Sequence, residues 1–260
     1  MEYFVTFVNN MPFFMIVFFR VGGMLLFAPV FGHANIPMQV RVAIALTFTI
    51  VLYSVLQKNQ PPLPTAIMPF LEIAVKEIAI GVVVGFAASI IFTAVTMAGN
   101  LMTNQIGLDT ATIIDPSSEI GEEEQVITVF LNMIAILIFL AIDGHHWFIK
   151  ATAQSFDILP VGGFHFTTVT LAKILNMFNA LFIIGFKMSA PSLLAILLTV
   201  VVLGLMTKVA QEINVFNIAF QIKILIGFFL LIISLPLIVT IIEKYLRTFE
   251  KSITSLMATM

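Results

Sequence analysis

The sequence contains no cysteine and few charged residues. The absence of cysteine excludes a disulfide, a thiolate nucleophile and a cysteine-ligated metal centre. Charged residues make up 10% of the 260 residues, whereas an ordinary soluble domain has about 25%. Apolar residues instead make up 60% of the chain. This composition predicts an integral membrane protein.

Positive charge is particularly scarce. Twelve Lys and Arg residues stand against 14 Asp and Glu residues, which gives a net charge of −2. The chain therefore lacks a basic stripe that would release counterions from a phosphate backbone, and we expect no nucleic-acid partner. The first apolar run has no basic segment before it and carries Arg20, so we also expect no cleavable signal peptide.

Catalytic motifs are missing as well: the sequence has no G-x-S-x-G, no H-E-x-x-H and no P-loop. The stretch DGHHW offers Asp143, His145 and His146 as metal ligands. Adjacent side chains on a helix point about 100° apart, whereas a zinc site needs its ligands directed at one point. We interpret DGHHW as a helix end at the membrane interface, anchored by Trp147. We predict no enzymatic activity, no catalytic residue, no cofactor and no metal.

Six apolar runs approach the length of about 20 residues that a membrane-spanning helix needs. These runs cover residues 11–31, 42–56, 78–98, 126–142, 178–206 and 224–242. No connecting segment is long enough to form a separate soluble domain. The sequence therefore predicts a single all-α unit over residues 1–260.

Two charged residues lie inside these runs. Arg20 and Lys187 would each cost about 2.5–3.5 kcal/mol at the centre of a lipid-exposed helix. Each therefore either faces a protein neighbour or a wet interior, or belongs to an ion relay, although no run carries a central acidic residue as relay partner. Glu72 and Lys76 lie four residues apart, which predicts a surface ion pair on one helix.

Small and uncharged polar residues follow helical spacing. Gly81 and Gly85 form a G-x-x-x-G pattern, which predicts close packing of two helices. Two polar stripes follow: Ser89, Thr93, Thr96, Asn100 and Thr103 in the first, and Gln211, Asn214, Asn217 and Gln221 in the second. Stripes of this kind predict helices that face other subunits or water as well as lipid.

Acidic residues concentrate in one segment. Residues 109–124 hold six of the 14 acidic residues and no Lys or Arg. Asp115 followed by Pro116 predicts a helix N-cap and first helical position, and the glutamates after it suit a positive helix N-terminus. The preceding stretch NQIGLDTATII is not explained by capping.

Four segments in order resemble the family of the flagellar biosynthetic protein FliR. They are FRVGGMLLFAPVFGHANIPMQVRVAIAL, MAGNLMTNQIGLDTATIIDP, FLAIDGHHWFIKATAQSFDILPVGG and KMSAPSLLAILLTVVVLGLMTKVAQEINVFNIAFQIKI. The last segment is also similar to the two-helix export subunit FliQ. The resemblance implies export-gate helical hairpins, with a FliP-like part at about residues 1–175 joined to a FliQ-like hairpin at 176–250.

The resemblance implies a non-enzymatic subunit of the flagellar type III protein-export gate, forming part of the secretion channel. The implied partners are FliP-like, FliQ-like and FlhB-like subunits, secreted flagellar proteins in transit and membrane lipid, and the implied location is the flagellar basal body in the bacterial inner membrane. Two alternatives remain: the equivalent injectisome subunit, and a six-helix small-molecule transporter with a polar site near Lys187 and Pro191.

The resemblance also implies two sets of functional residues. A plug loop in the channel would comprise Ile106, Gly107, Leu108, Asp109, Thr110, Ala111, Thr112, Ile113, Ile114, Asp115 and Pro116. Contacts with neighbouring subunits are expected at Arg20, Lys187, Pro191, Gln211, Asn214, Asn217, Gln221 and Lys223. The isoleucines and the leucine of the loop can seal a narrow pore by excluding water, whereas residues 117–124 would mainly support the loop.

Overall fold

A computed structural model describes most of the chain. The described residues are 2–28, 36–56, 63–64, 66–107, 126–209 and 215–260. Within these ranges, seven helices follow one another: α1 (Glu2–Phe27), α2 (Met38–Leu56), α3 (Ile67–Ile106), α4 (Val126–Ala141), α5 (Gly144–Ile158), α6 (Thr168–Val209) and α7 (Val215–Met257). The same ranges contain no strand, and the predicted all-α fold is confirmed.

The helices differ in number and length from the six apolar runs. Among the described residues, four helices are long and apolar enough to span a membrane, namely α2, α3, α6 and α7. A fifth span results if α4 and α5 together form one broken span. Residues Met11–Phe27 of α1 form a shorter apolar stretch. The six apolar runs therefore do not correspond one to one with spans among the described residues, because apolar composition marks where a helix runs and not where it ends.

Prolines inside the long helices do not end them. Pro191 lies within the 42 residues of α6, and Pro236 within the 43 residues of α7. A proline removes a single backbone hydrogen bond from the helical ladder. In a helix this long, the many remaining hydrogen bonds keep the helix continuous.

The stretch DGHHW begins a helix as well as following one. Asp143 adopts the left-handed conformation (φ 59°, ψ 28°), and α5 starts at the next residue, Gly144. An aspartate tolerates this conformation better than most residues do. The sequence predicts the break at Asp143 but not the helix that follows it.

The chain forms two compact units. Unit 1 comprises residues 1–90, 143–177 and 247–260, and unit 2 comprises residues 91–142 and 178–246. The predicted FliP-like part and FliQ-like hairpin are defined by similarity to other proteins. The two compact units do not test that similarity, so the division stays a prediction.

Unit 1 encloses a core to which the C-terminal end of the chain contributes. Leu256, Met257 and Met260 are buried in the same cluster as Val17 and Val21 of α1. The backbone carbonyl of Met260 accepts a hydrogen bond from the His165 backbone N–H at 2.7 Å. The last residues are therefore an integral part of unit 1.

Unit 2 is built from the C-terminal part of α3, from α4, from the C-terminal part of α6 and from the N-terminal part of α7. Phe92 of α3 and Phe139 of α4 meet edge to face with ring centroids 5.7 Å apart. Ala94, Ala98 and Leu131 are also fully buried. Small residues along α3 let the neighbouring helices approach closely.

Candidate functional site

Arg20 of α1 is a fully buried charge in unit 1. Its Nε donates a hydrogen bond to Oε2 of Glu77 on α3, and both side chains have no exposed surface. Burial of two charges is tolerated when they pair and when their remaining hydrogen-bonding groups are satisfied. Glu77 is therefore the acidic partner of Arg20, which the apolar run around Arg20 does not contain.

The remaining groups of this pair are satisfied by α5 and the turn after it. One guanidinium nitrogen of Arg20 donates to the Ser155 carbonyl at 2.8 Å, and the other donates to the Leu159 carbonyl at 3.0 Å. The other oxygen of Glu77 accepts the Gly162 backbone N–H at 3.0 Å. This Arg20 cluster joins α1, α3 and α5 within unit 1.

An aromatic ring completes the surroundings of Arg20. The guanidinium carbon lies 4.0 Å from the centroid of the Phe156 ring, which is the geometry of a cation–π contact. Because the cluster is sealed from solvent, it cannot bind a substrate, and we assign it a structural role. Arg20 was expected to contact a neighbouring subunit, but its charge already has all these partners inside the chain.

Glycines allow a close approach of α1, which carries Arg20, and α3, which carries Glu77. A Cβ atom at Gly81 would collide with the backbone carbonyl of Arg20, and one at Gly85 would collide with that of Met24. Gly81 and Gly85 follow Glu77 at intervals of four residues and share its helix face. The G-x-x-x-G pattern thus lies against the backbone of α1, where it permits the Arg20–Glu77 contact.

We expect that Gly81→Ala destabilises the protein, because the obstructing atoms are backbone atoms that cannot rotate away. Overpacking of this kind costs about 1–3 kcal/mol. Gly22→Ala is the matched control, since a Cβ atom at Gly22 meets nothing within 4 Å, and alanine improves helix propensity by up to about 1 kcal/mol. Each variant is heated in detergent, and the fraction that still elutes as a monodisperse peak in size-exclusion chromatography measures the difference in stability. Equal behaviour of both variants would contradict the close-packing account.

The first polar stripe bonds largely within unit 2. Thr128 of α4 donates to the side-chain oxygen of Asn100 at 2.8 Å, and the Asn132 amide donates to the Thr96 hydroxyl at 3.0 Å. Thr103 bonds a carbonyl one turn earlier in α3 at 2.9 Å. These residues therefore join α3 to α4, in addition to any contact with other subunits or water.

The predicted plug loop begins at the end of α3. Gly107 has a left-handed backbone (φ 87°), and its N–H donates to the Thr103 carbonyl at 3.0 Å, as is common for a glycine that ends a helix. Ile106 is 1% exposed and packs against Gly227 of α7. Ile106 thus belongs to the core of unit 2, and residues 108–116 lie outside the described residues.

The residues predicted to contact neighbouring subunits differ in their exposure. Lys187 is exposed on α6, and no described residue gives it a hydrogen bond or an ion pair. Lys223 is partly buried and Gln221 is exposed on α7, while Pro191 is partly buried on α6. Gln211 and Asn214 lie outside the described residues, as does the side chain of Asn217.

The exposed ion pair predicted near the start of α3 is confirmed. The Lys76 ammonium lies 2.7 Å from Oε1 of Glu72. The pair is solvent-accessible, so it contributes little to the free energy of unfolding.

The histidines of DGHHW do not diverge as expected. The ring centroids of His145 and His146 lie 4.1 Å apart, and a ligand atom from each, together with a carboxylate oxygen of Asp143, lies within 4.8 Å of the others. The expectation of divergence applied ideal helical angles, whereas side-chain rotation at the first turn of α5 brings the rings together. These three residues can hold a metal ion.

Comparison with known proteins gives one consistent result. The family described as bacterial export proteins, family 1, matches residues 11–249. The flagellar biosynthetic protein FliR of Bacillus subtilis (strain 168) is 28% identical over 254 residues, which cover 96% of both chains. FliR of Pectobacterium carotovorum subsp. carotovorum is 32% identical over 85% of this chain and 83% of its own length. FliR of Escherichia coli (strain K12) is 29% identical over 86% and 84%, respectively.

Proposed function

Because this chain belongs to family 1 of the bacterial export proteins, with the FliR flagellar biosynthetic proteins, we propose that it is a non-enzymatic subunit of the flagellar type III protein-export gate. The observation that carries the proposal is the family match over residues 11–249. The long apolar helices α2, α3, α6 and α7 support a membrane-embedded position. The bacterial inner membrane, at the base of the flagellum, is the proposed location.

The apolar surface of α6 and α7 supports assembly with other subunits. Large side chains there remain mostly exposed, such as Leu198 at 64%, Leu225 at 72% and Ile232 at 67%. Exposed apolar surface of this extent indicates lipid or protein contact. FliP-like, FliQ-like and FlhB-like subunits are the proposed partners, with residues 176–250 acting as the FliQ-like hairpin.

The charge of Lys187 favours protein over lipid on part of this surface. Lys187 lies between Phe186 and Met188 on α6, and its neighbours Ile183 and Phe186 are exposed apolar residues. Pro191 has no N–H, so the carbonyl four residues earlier, that of Lys187, lacks its helical donor. An ammonium group and an unsatisfied carbonyl at one place are costly in lipid and suit a polar group on a neighbouring subunit.

The channel itself is proposed to be closed by residues 106–116. The burial of Ile106 and the helix-ending conformation of Gly107 support an anchored starting point for such a loop. The apolar residues Leu108, Ile113 and Ile114 would exclude water from a narrow pore. The acidic residues after them would keep the loop out of lipid when the channel opens.

Loss of export tests the proposed function. Deleting the coding region should abolish secretion of flagellar filament protein into the medium, while the filament protein still accumulates inside the cell. Expression of the chain from a plasmid should restore secretion. Normal secretion in the deletion strain would contradict the proposal. A small-molecule transporter would leave filament secretion unchanged and alter the uptake of a solute instead.

We expect that Lys223→Glu prevents assembly with the partner subunits, because it reverses the single charge within residues 215–242 of α7. The variant should still insert into the membrane. Lys150→Glu is the matched control, since Lys150 is exposed on α5 and lies outside the proposed contacts. Copurification of partners with a tagged chain provides the measurement. If the Lys223→Glu chain copurifies with its partners as the control does, α7 is not part of the proposed contact surface.

A further inference from the structure

We propose that Asp143, His145 and His146 form a binding site for a divalent transition-metal ion, with Zn²⁺ as the best fit. One ligand atom from each residue lies within 4.8 Å of the others. Two ligands of a tetrahedral zinc ion are separated by about 3.4 Å, given metal–ligand distances near 2.1 Å. Side-chain rotation would have to close a difference of at most about 1.4 Å.

The surroundings of His145 support the site. Its Nδ1 is buried, yet no described residue provides it with a hydrogen-bond partner. A buried polar atom without a partner is destabilising. A metal ion bound by Nδ1 removes this cost, because the nitrogen lone pair then has a ligand bond in place of the missing hydrogen bond.

The carboxylate of Asp143 is also available to bind a metal ion. Aspartate before the first residue of a helix normally accepts a hydrogen bond from a backbone N–H, but Asp143 makes no such cap. Its left-handed backbone instead directs the carboxylate towards His146, whose Nδ1 lies 3.3 Å from Oδ1. This distance is long for a hydrogen bond, so a metal ion would compete with a weak interaction only.

The ligand types select the class of metal. Two imidazoles and one carboxylate suit zinc, copper, nickel or cobalt, whereas magnesium and calcium prefer oxygen ligands throughout. The side chains of Asp143 and His146 are 76% and 72% exposed, so water can complete the coordination. Binding to the folded state alone would stabilise the turn between α4 and α5.

Titration of the full-length chain in detergent tests the site. The chain must carry a tag without histidine, and Zn²⁺ is added as the chloride in competition with a chromogenic chelator. We expect one tightly bound Zn²⁺ per chain. His146→Gln and Asp143→Asn should each weaken binding at least tenfold, since each removes one of three ligands. His165→Gln is the matched control, because His165 is an exposed histidine outside the cluster, and it should leave the affinity unchanged.

Two results would overturn the proposal. One is binding by the wild-type chain that is no tighter than binding by a folded His145→Gln/His146→Gln variant. The other is an equal loss of affinity in His165→Gln. If the variants fail to fold, X-ray absorption of the zinc-loaded wild-type chain decides: two imidazole ligands support the site, and none or one excludes it.

Discussion

Glu77→Ala should lower the free energy of unfolding by about 3–5 kcal/mol, because it leaves a buried guanidinium without its counter-charge. Arg20 and Glu77 have no exposed surface, so water cannot replace the missing carboxylate. The loss also removes the acceptor of the Gly162 backbone N–H. Thermal unfolding in detergent micelles, followed by size-exclusion chromatography, measures the change.

Two further variants test whether the effect of Glu77→Ala comes from leaving a buried charge unpaired. Glu72→Ala breaks an exposed pair and should leave thermal unfolding nearly unchanged. Arg20→Met combined with Glu77→Leu should recover much of the lost stability, since apolar residues of similar volume often replace a buried ion pair without loss. If Glu77→Ala unfolds at the same temperature as Glu72→Ala, the Arg20 cluster does not stabilise unit 1.

Deletion of residues 108–114 should leave the export gate assembled and make it permeable to ions. The deletion keeps Ile106 in the core of unit 2 and Gly107 at the end of α3, so the surrounding helices should still pack. Removal of the proposed plug would open a water-filled path, and expression of the variant should slow growth. Conductance of the purified complex in a planar bilayer measures the leak.

The acidic part of the segment provides the control for that deletion. Replacing Glu122, Glu123 and Glu124 with glutamine changes the charge next to the loop and keeps the loop itself. We expect this variant to retain the low conductance of the closed gate, because residues 117–124 are proposed to support the plug. A deletion variant with closed-level conductance, in a complex shown to be intact, would refute the plug assignment.

Local patterns in the sequence predicted those features that depend on near neighbours in the chain. The apolar runs correctly predicted helices. A helix is a local structure, because its hydrogen bonds join residues four apart in the chain. The Glu72–Lys76 pair was predicted by the same spacing and is confirmed. The break at Asp143 was also visible, because an Asp-Gly pair is a common helix-breaking signal.

Features that depend on distant residues were not predictable in this way. Arg20 is bonded to residues that are 57, 135 and 139 positions away in the chain. A local pattern cannot show that Glu77 and the turn after α5 converge on α1. The sequence predicts only that the charge of Arg20 needs a partner, and a contact of Arg20 with a neighbouring subunit stays a prediction.

Helix lengths and side-chain rotamers were missed for related reasons. The apolar run at residues 178–206 covers only part of the 42-residue helix α6, because helical hydrogen bonds continue through the less apolar residues on either side of the run. The close approach of the His145 and His146 rings, tilted by 37° to each other, depends on side-chain rotation, which ideal helical angles do not describe. The metal-site proposal therefore follows from the structure and contradicts the expectation from the sequence.

The composition of the purified complex is the most direct test of the account. The chain is tagged, extracted from membranes of its native host in mild detergent and analysed by native mass spectrometry. We predict one assembly that contains FliP-like and FliQ-like subunits in a fixed ratio to this chain. Recovery of the chain alone, or as a homo-oligomer without those partners, would contradict its role as an export-gate subunit.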